Sequence, residues 1–170
     1  MIRIPTTQIG EDGVAVADEV PGSLLDLQND PVAREAGPIR YALRLERVGE
    51  ELVVRGTVSA PLRLRCSRCA QFFSTTVQVS SFLHAYEWAA HPDFLDVSAE
   101  VREDVILEIP GFPLCDEACQ GLCPRCGHNM NEGPCACTPL GDVLSPWGDL
   151  DGLTAESSPR QPSGGADEKR

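Results

Sequence analysis

Eight cysteines carry the chemistry of this 170-residue sequence, and their spacing says what that chemistry is. They fall as Cys66-x2-Cys69, Cys115-x3-Cys119-x3-Cys123-x2-Cys126 and Cys135-x-Cys137. A C-x2-C pair on a tight turn aims two thiolates at one ion, while backbone amides of the turn donate to the sulfurs. "CPRCG" at 123–127 reads as such a zinc knuckle, with Gly127 free to take positive φ where the turn tightens. "CSRC" at 66–69 is a second pair of the same kind. A structural zinc takes four ligands at ~2.3 Å in a tetrahedron. Eight thiols divide into two such sets without remainder, which points to two structural Zn²⁺ ions. The preferred partition joins Cys66, Cys69, Cys115 and Cys119 around one ion and Cys123, Cys126, Cys135 and Cys137 around the other. The second set then closes with one local loop, and the first staples distant segments. A rival partition sets Cys66/Cys69 against Cys123/Cys126.

Other thiol chemistries fit less well. "MIRIPTTQIGEDGVAVADEV" lacks the apolar run and cleavage site of a signal peptide, and no segment approaches the ~20 apolar residues of a membrane span. This places the chain in the cytoplasm, where thiols stay reduced and disulfides are disfavoured. A thioredoxin-like pair needs a helix N-terminus after a strand, whereas Cys66 ends a strand that another strand follows. Neither common ferredoxin spacing is present. All-cysteine zinc sites are closed, which argues against catalysis. There is no nucleotide-binding glycine loop or carboxylate cluster, and no small-molecule substrate is expected.

The elements that must position these thiols read as α+β: a small antiparallel β-sheet with one helix and a cysteine-rich zinc-binding segment. "IRYALRLERV" alternates, with Tyr41, Leu43 and Leu45 on one face and Arg44 and Glu46 on the other. A short Gly-containing loop leads into valine-rich "LVVRGTVSA", which predicts a hairpin. "PLRLRC" alternates again, with Leu62, Leu64 and Cys66 facing one way and Arg63 and Arg65 the other. "FFSTTVQVSSFL" continues the sheet, with Phe72 and Phe73 read as core. "SAEVREDVILEIP" predicts a helix with Ser98 as N-cap and Pro110 beyond its end. Residues 1–39, broken by Pro and Gly, read as a loosely structured N-terminal segment in which "VPGSLLDL" is an apolar anchor. Residues 40–140 are the β-rich domain, and 141–170 a disordered acidic tail.

The formal net charge is −12, so bulk electrostatics oppose nucleic-acid binding. Residues 40–69 nevertheless hold seven arginines against three glutamates, a basic island in an acidic chain. Arg55, Arg63, Arg65 and Arg68 are the candidates for RNA phosphate contact, set against a solvated face paired with Glu46, Glu50 and Glu51. His128 is read as a surface or supporting residue, His84 and His91 as loop residues with no partner at ligand spacing, and Trp88 as a partly buried aromatic. Asn129, Asn131, Gly133 and Pro134 have turn chemistry.

"RLRCSRC", the acidic "DVSAEVREDVILEIPGFPLC" and "CQGLCPRCGHNMNEGPCAC" together resemble the YceD family, the large ribosomal RNA subunit accumulation proteins, over residues 40–137. The resemblance implies a ribosome-biogenesis role in accumulation or processing of large-subunit rRNA. It implies large-subunit rRNA or a ribosomal protein as partner, and the eight cysteines as metal ligands. It offers no catalytic residues, so a non-enzymatic factor is expected. The alternative is a thiol-redox or rRNA-processing enzyme.

Overall fold

A computed structural model describes residues 1–7, 9–10, 13–90 and 93–137. The alternating segments become long strands. β4 (Ile39–Val48) buries Ile39, Tyr41, Leu43 and Leu45, and β5 (Glu51–Arg65) buries Leu52, Val54, Val58, Ala60, Leu62 and Leu64. The two form an antiparallel hairpin closed at Val48↔Glu51, with Gly49 at φ 63° in the turn. β5 runs unbroken through Pro61, so the two apolar runs of the sequence are one strand. β6 (Phe72–Glu87) pairs along the whole of β5.

One irregularity keeps β6 amphipathic. Gly56 faces Phe82 and Val58 faces Val79, so Ser80 and Ser81 together oppose Thr57. This β-bulge shifts the alternation by one residue. Val77 and Val79 before it and Phe82 after it therefore all face the core.

The N-terminal segment differs from its sequence reading. Residues 1–39 carry β1 (Arg3–Pro5), β2 (Val14–Val20) and β3 (Ala33–Glu35). β2 adds to the free edge of β4, and β3 pairs β5 at Leu62–Leu64 beyond the end of β4. β1 pairs β7 (Phe94–Asp96) in a separate two-stranded sheet. Pro and Gly punctuate this segment, but Ile2, Ile4, Leu25 and Leu27 are buried, and tertiary burial overrides local composition. The "VPGSLLDL" anchor holds: a 3₁₀ turn at Gly22–Leu25 packs on the helix, and Arg102 Nε donates to the Leu25 carbonyl at 3.1 Å.

Helix α1 (Ser98–Leu107) covers the inner face of β5 and β6 with Val101 and Val105. Its N-cap residue is Val97, not Ser98. Ser98 is the first helical residue; its N–H donates to Asp96 Oδ1 at 3.0 Å, and its Oγ accepts from the Ile2 N–H at 2.6 Å. The serine ties β1 to the helix start instead of closing the helix. His84, read as a loop residue, lies on β6 with Nε2 3.0 Å from Asp104 Oδ2 of α1. Trp88 packs on the core beneath the Arg47 guanidinium, 4.7 Å from its ring centroid.

Residues Met1–Cys135 form one unit; of Ala136–Arg170, residues 136 and 137 are described. The predicted tail at 141–170 and His91 lie outside the described residues. Among the described residues no helix is long and apolar enough to cross a membrane.

Candidate metal centre

β5 delivers Cys66 to its inner face one residue past Arg65, continuing the Leu62, Leu64 alternation. The chain then turns back into β6. The Ala70 N–H donates to the Cys66 carbonyl at 2.9 Å, the Cys66 N–H to the Gln71 carbonyl at 2.9 Å, and the Arg68 N–H to Cys66 Sγ at 3.4 Å. The second C-x2-C repeats this pattern. The Gly127 N–H donates to the Cys123 carbonyl at 2.9 Å, and the Cys123 N–H to the His128 carbonyl at 2.7 Å. The residue after the second cysteine is left-handed in both turns, with φ 72° at Gly127 and 60° at Ala70. Glycine takes that conformation without penalty, and alanine at a cost of about 1 kcal/mol. Ala70→Gly should therefore raise stability by about 1 kcal/mol, less what the freer unfolded chain takes back; urea unfolding of the two proteins checks it.

The loop after α1 brings the remaining ligands of the first set. The Ser67 N–H donates to the Pro113 carbonyl at 2.8 Å. Arg68 Nη1 donates to the carbonyls of Glu117 and Cys119 at 2.9 and 3.0 Å. Cys66, Cys69, Cys115 and Cys119 then offer four sulfurs within 4.8 Å of one another, and Cys123, Cys126, Cys135 and Cys137 offer four more. In each set the groups are those of the preferred partition, and the rival pairing of the two knuckles is not formed. None of the eight is disulfide-bonded. Sulfur separations are 3.8 Å for Cys66–Cys119, 3.7 Å for Cys69–Cys115 and 3.4 Å for Cys123–Cys135. A tetrahedron with metal–sulfur distances of ~2.3 Å has an edge of ~3.8 Å, whereas a disulfide needs ~2.05 Å. The donor set and its spacing thus fit a tetrahedral ion such as zinc.

The thiols are tuned unequally. Burial pushes Cys66 up, but the backbone amides of Cys69, Cys115 and Arg68 outweigh it and hold the thiol at about 6. The amides of Cys126 and Arg125, with the Cys135 thiol, bring Cys123 to about 6. Burial and the neighbouring sulfurs of Cys119, Cys66 and Cys69 push Cys115 up to about 12. Cys66 and Cys123, the first residue of each knuckle, are thus poised as thiolates.

Asn131 is a site residue that turn chemistry did not reveal. Its Nδ2 donates to Cys119 Sγ at 3.3 Å, and its Oδ1 accepts from the Gln120 N–H at 2.8 Å. The amide is the largest influence holding the Cys119 thiol below its ordinary value. Asn129 Oδ1 accepts from Asn131 at both N–H (3.1 Å) and Nδ2 (2.8 Å) and orients the side chain. The loop of the second knuckle therefore supports a sulfur of the first set. Such outer contacts typically carry 10–100-fold in metal affinity. Asn131→Ala should weaken zinc binding at the first set by about that factor and leave the second set unchanged, as competition with a chromophoric chelator would read.

The arginine island is not uniform. Arg40 pairs with Glu19 (3.5 Å), Arg47 with Glu50 (3.8 Å), and Arg44 and Arg55 share Glu46 (2.5 and 2.9 Å). Arg63, Arg65 and Arg68 lie at the other end of β5, beside the first cysteine set. Phe73 packs against both core and cysteines. Phe72 does not join them; its ring lies on the outer face under Arg34.

The sequence matches the family described as large ribosomal RNA subunit accumulation protein YceD over residues 83–154. It is 33% identical over 149 residues to an uncharacterized protein of Mycobacterium leprae, covering 79% of this chain and 67% of that one. The chain belongs to the YceD family. Within this YceD chain the match includes Cys115 to Cys137 but not Cys66 and Cys69, so the first sulfur set reaches outside it. An uncharacterized protein of Mycobacterium tuberculosis is 35% identical over 106 residues, 54% of this chain and 51% of its own. The Arabidopsis thaliana protein named large ribosomal RNA subunit accumulation protein YCED homolog 1, chloroplastic, is 44% identical over 43 residues, 25% of this chain and 13% of its own. The chain thus spans between half and two thirds of the two mycobacterial relatives. No solved structure matches it.

Proposed function

We propose that this chain is a non-enzymatic ribosome-biogenesis factor that supports accumulation or processing of large-subunit ribosomal RNA, on a scaffold stapled by two structural zinc ions. The observation that carries the reading is the pairing of family membership with two four-sulfur sets at ligand spacing. Each set, filled by zinc, would be coordinatively closed, with no position for water or substrate. Cys66 and Cys123 are buried, which supports structural over redox use of their thiolates. The first zinc would clamp the β5–β6 turn to the loop after α1, and the second would fix the knuckle loop that presents Asn131. The partner is large-subunit rRNA or a ribosomal protein, in a cytoplasmic setting, with Arg55, Arg63, Arg65 and Arg68 as candidate RNA contacts.

The test is genetic and biochemical. Deleting the gene should lower the ratio of large- to small-subunit rRNA, and the wild-type chain should restore it. A Cys66→Ser chain, expressed at equal level, should not. An unchanged ratio in the deletion strain would remove the reading. Turnover of a dithiol or cleavage of rRNA by the purified zinc-loaded chain would favour the enzymatic alternative.

A further inference from the structure

Four arginines at the cysteine end of the sheet, Arg34 and three from the island, differ from the rest. None of the ion pairs among the described residues involves Arg34, Arg63, Arg65 or Arg68. All four are exposed. Arg34 of β3 sits directly opposite Arg63 of β5, an arrangement of like charges that weakens a sheet. Arg65 follows on the same outer face, ~7 Å along the strand. The Phe72 ring lies among them, with the Arg34 guanidinium 4.3 Å and the Arg63 guanidinium 6.0 Å from its centroid.

The four side chains are held in place by contacts that leave most of their donors unused. Arg65 Nε donates to the Ala70 carbonyl at 3.2 Å, and Arg68 uses only Nη1 on the Glu117 and Cys119 carbonyls. A guanidinium has five N–H donors, so both keep donors for a ligand. The Arg34 guanidinium lies over the Phe72 ring, and Arg34 is exposed. A planar cation of this kind stacks an unpaired base, and its neighbours take the flanking phosphates. Filled by metal, the first cysteine set would fix both the turn that holds the Ala70 partner of Arg65 and the loop that holds the Glu117 and Cys119 partners of Arg68.

We propose that Arg34, Arg63, Arg65 and Arg68, arranged around Phe72, form a binding surface for single-stranded RNA. It rests on the rRNA reading above and deepens it. Arg34 enters the surface from an edge strand 29 residues upstream of Arg63. Arg55 stays outside it because its guanidinium is engaged in an ion pair with Glu46. Duplex RNA offers no unpaired base to the Arg34 face, so it gains only the phosphate contacts.

The test measures binding of a fluorescent oligouridylate to the full-length zinc-loaded chain as salt is varied. For single strands, log K falls with log salt at about 0.7 per phosphate contact. Arg34→Ala with Arg63→Ala should lower that slope by about 1.4. Arg40→Ala with Arg44→Ala removes the same charge elsewhere and should leave the slope unchanged. Arg65→Gln alone should lower it by about 0.7, and it serves if the first pair fails to fold. Arg34→Lys should keep the slope and lose the preference for oligouridylate over duplex RNA of equal length. No binding by the wild-type chain, equal losses in the two double variants, or equal affinity for duplex would each overturn the proposal. A deletion strain with depleted rRNA that the Arg34/Arg63 variant fully rescues would sink this surface and leave the broader reading standing.

Discussion

Cys66→Ser should cost the chain one zinc ion and about 10–20 °C of melting temperature, the combined estimate from ligand linkage and domain size. A ligand present at about 1,000 times its Kd contributes about 4 kcal/mol, and for a domain of this size each kcal/mol is worth a few degrees. The serine oxygen is a poor replacement for a thiolate, and the three sulfurs left hold zinc much more weakly. The position matters as much as the ion. The first set closes a loop from Cys69 to Cys115, and three of its members, Cys66, Cys69 and Cys119, form a second buried cluster against Phe73. The second set closes only the stretch from Cys123 to Cys137. Loop closure stabilises more when the loop is long. Cys135→Ser should therefore also lose one zinc but lower the melting temperature far less. Differential scanning calorimetry with zinc quantified in the same samples reads both effects. Equal shifts in the two variants would contradict the staple.

The same thiols set a pH limit. In the metal-free chain Cys66 and Cys123 ionise at about 6, below the ordinary thiol value. A depressed folded-state value means the thiolate stabilises the folded chain. That contribution is fully present above the ordinary thiol range and disappears as pH falls through about 6. Protons and zinc compete for the same sulfurs, so acid favours metal release. Zinc retention should hold at neutral pH and fall steeply below 6.

Gly56→Ala should destabilise the fold by about 3–5 kcal/mol, the range of severe packing defects. Gly56 sits at the β-bulge, directly opposite Leu43. An added methyl would overlap the Ala42 carbonyl oxygen and press on the Leu43 backbone. Both are backbone atoms inside the sheet, so neither can move aside as a flexible side chain would. Relief requires parting β4 from β5, the pair that carries Leu43, Leu45, Val54 and Val58 into the core. Gly49→Ala makes the contrast, because nothing lies within 4 Å of the site. Its cost is the left-handed turn alone, about 1 kcal/mol. Chemical denaturation of the two variants separates close approach from conformational strain.

Local pattern was enough to read the strands that carry the site. Leu62, Leu64 and Cys66 alternate with Arg63 and Arg65 in the sequence as they do on the sheet, so the side that Cys66 faces was legible. The C-x2-C spacing fixed which sulfurs work in pairs, and locality favoured the partition that forms. What escaped depends on long-range pairing. Arg3–Pro5 meets Phe94–Asp96 across some ninety residues, and three residues a side carry no period to detect. β2 and β3 lie in a stretch punctuated by Pro and Gly, and strand pairing with β4 and β5, together with burial of Ile2, Ile4, Leu25 and Leu27, holds that segment in place. Asn131 was read as a turn former because its second role requires Cys119 to lie under its amide. The Arg34–Phe72 contact likewise exists only once β3 docks on β5.

The most direct measurement is a native mass spectrum of the full-length chain purified without added metal or oxidant. Two zinc ions per chain, with all eight thiols in the reduced mass balance, is the predicted result. A metal-free chain carrying the mass deficit of disulfides, or one whose zinc survives loss of Cys66 and of Cys135 alike, would contradict it.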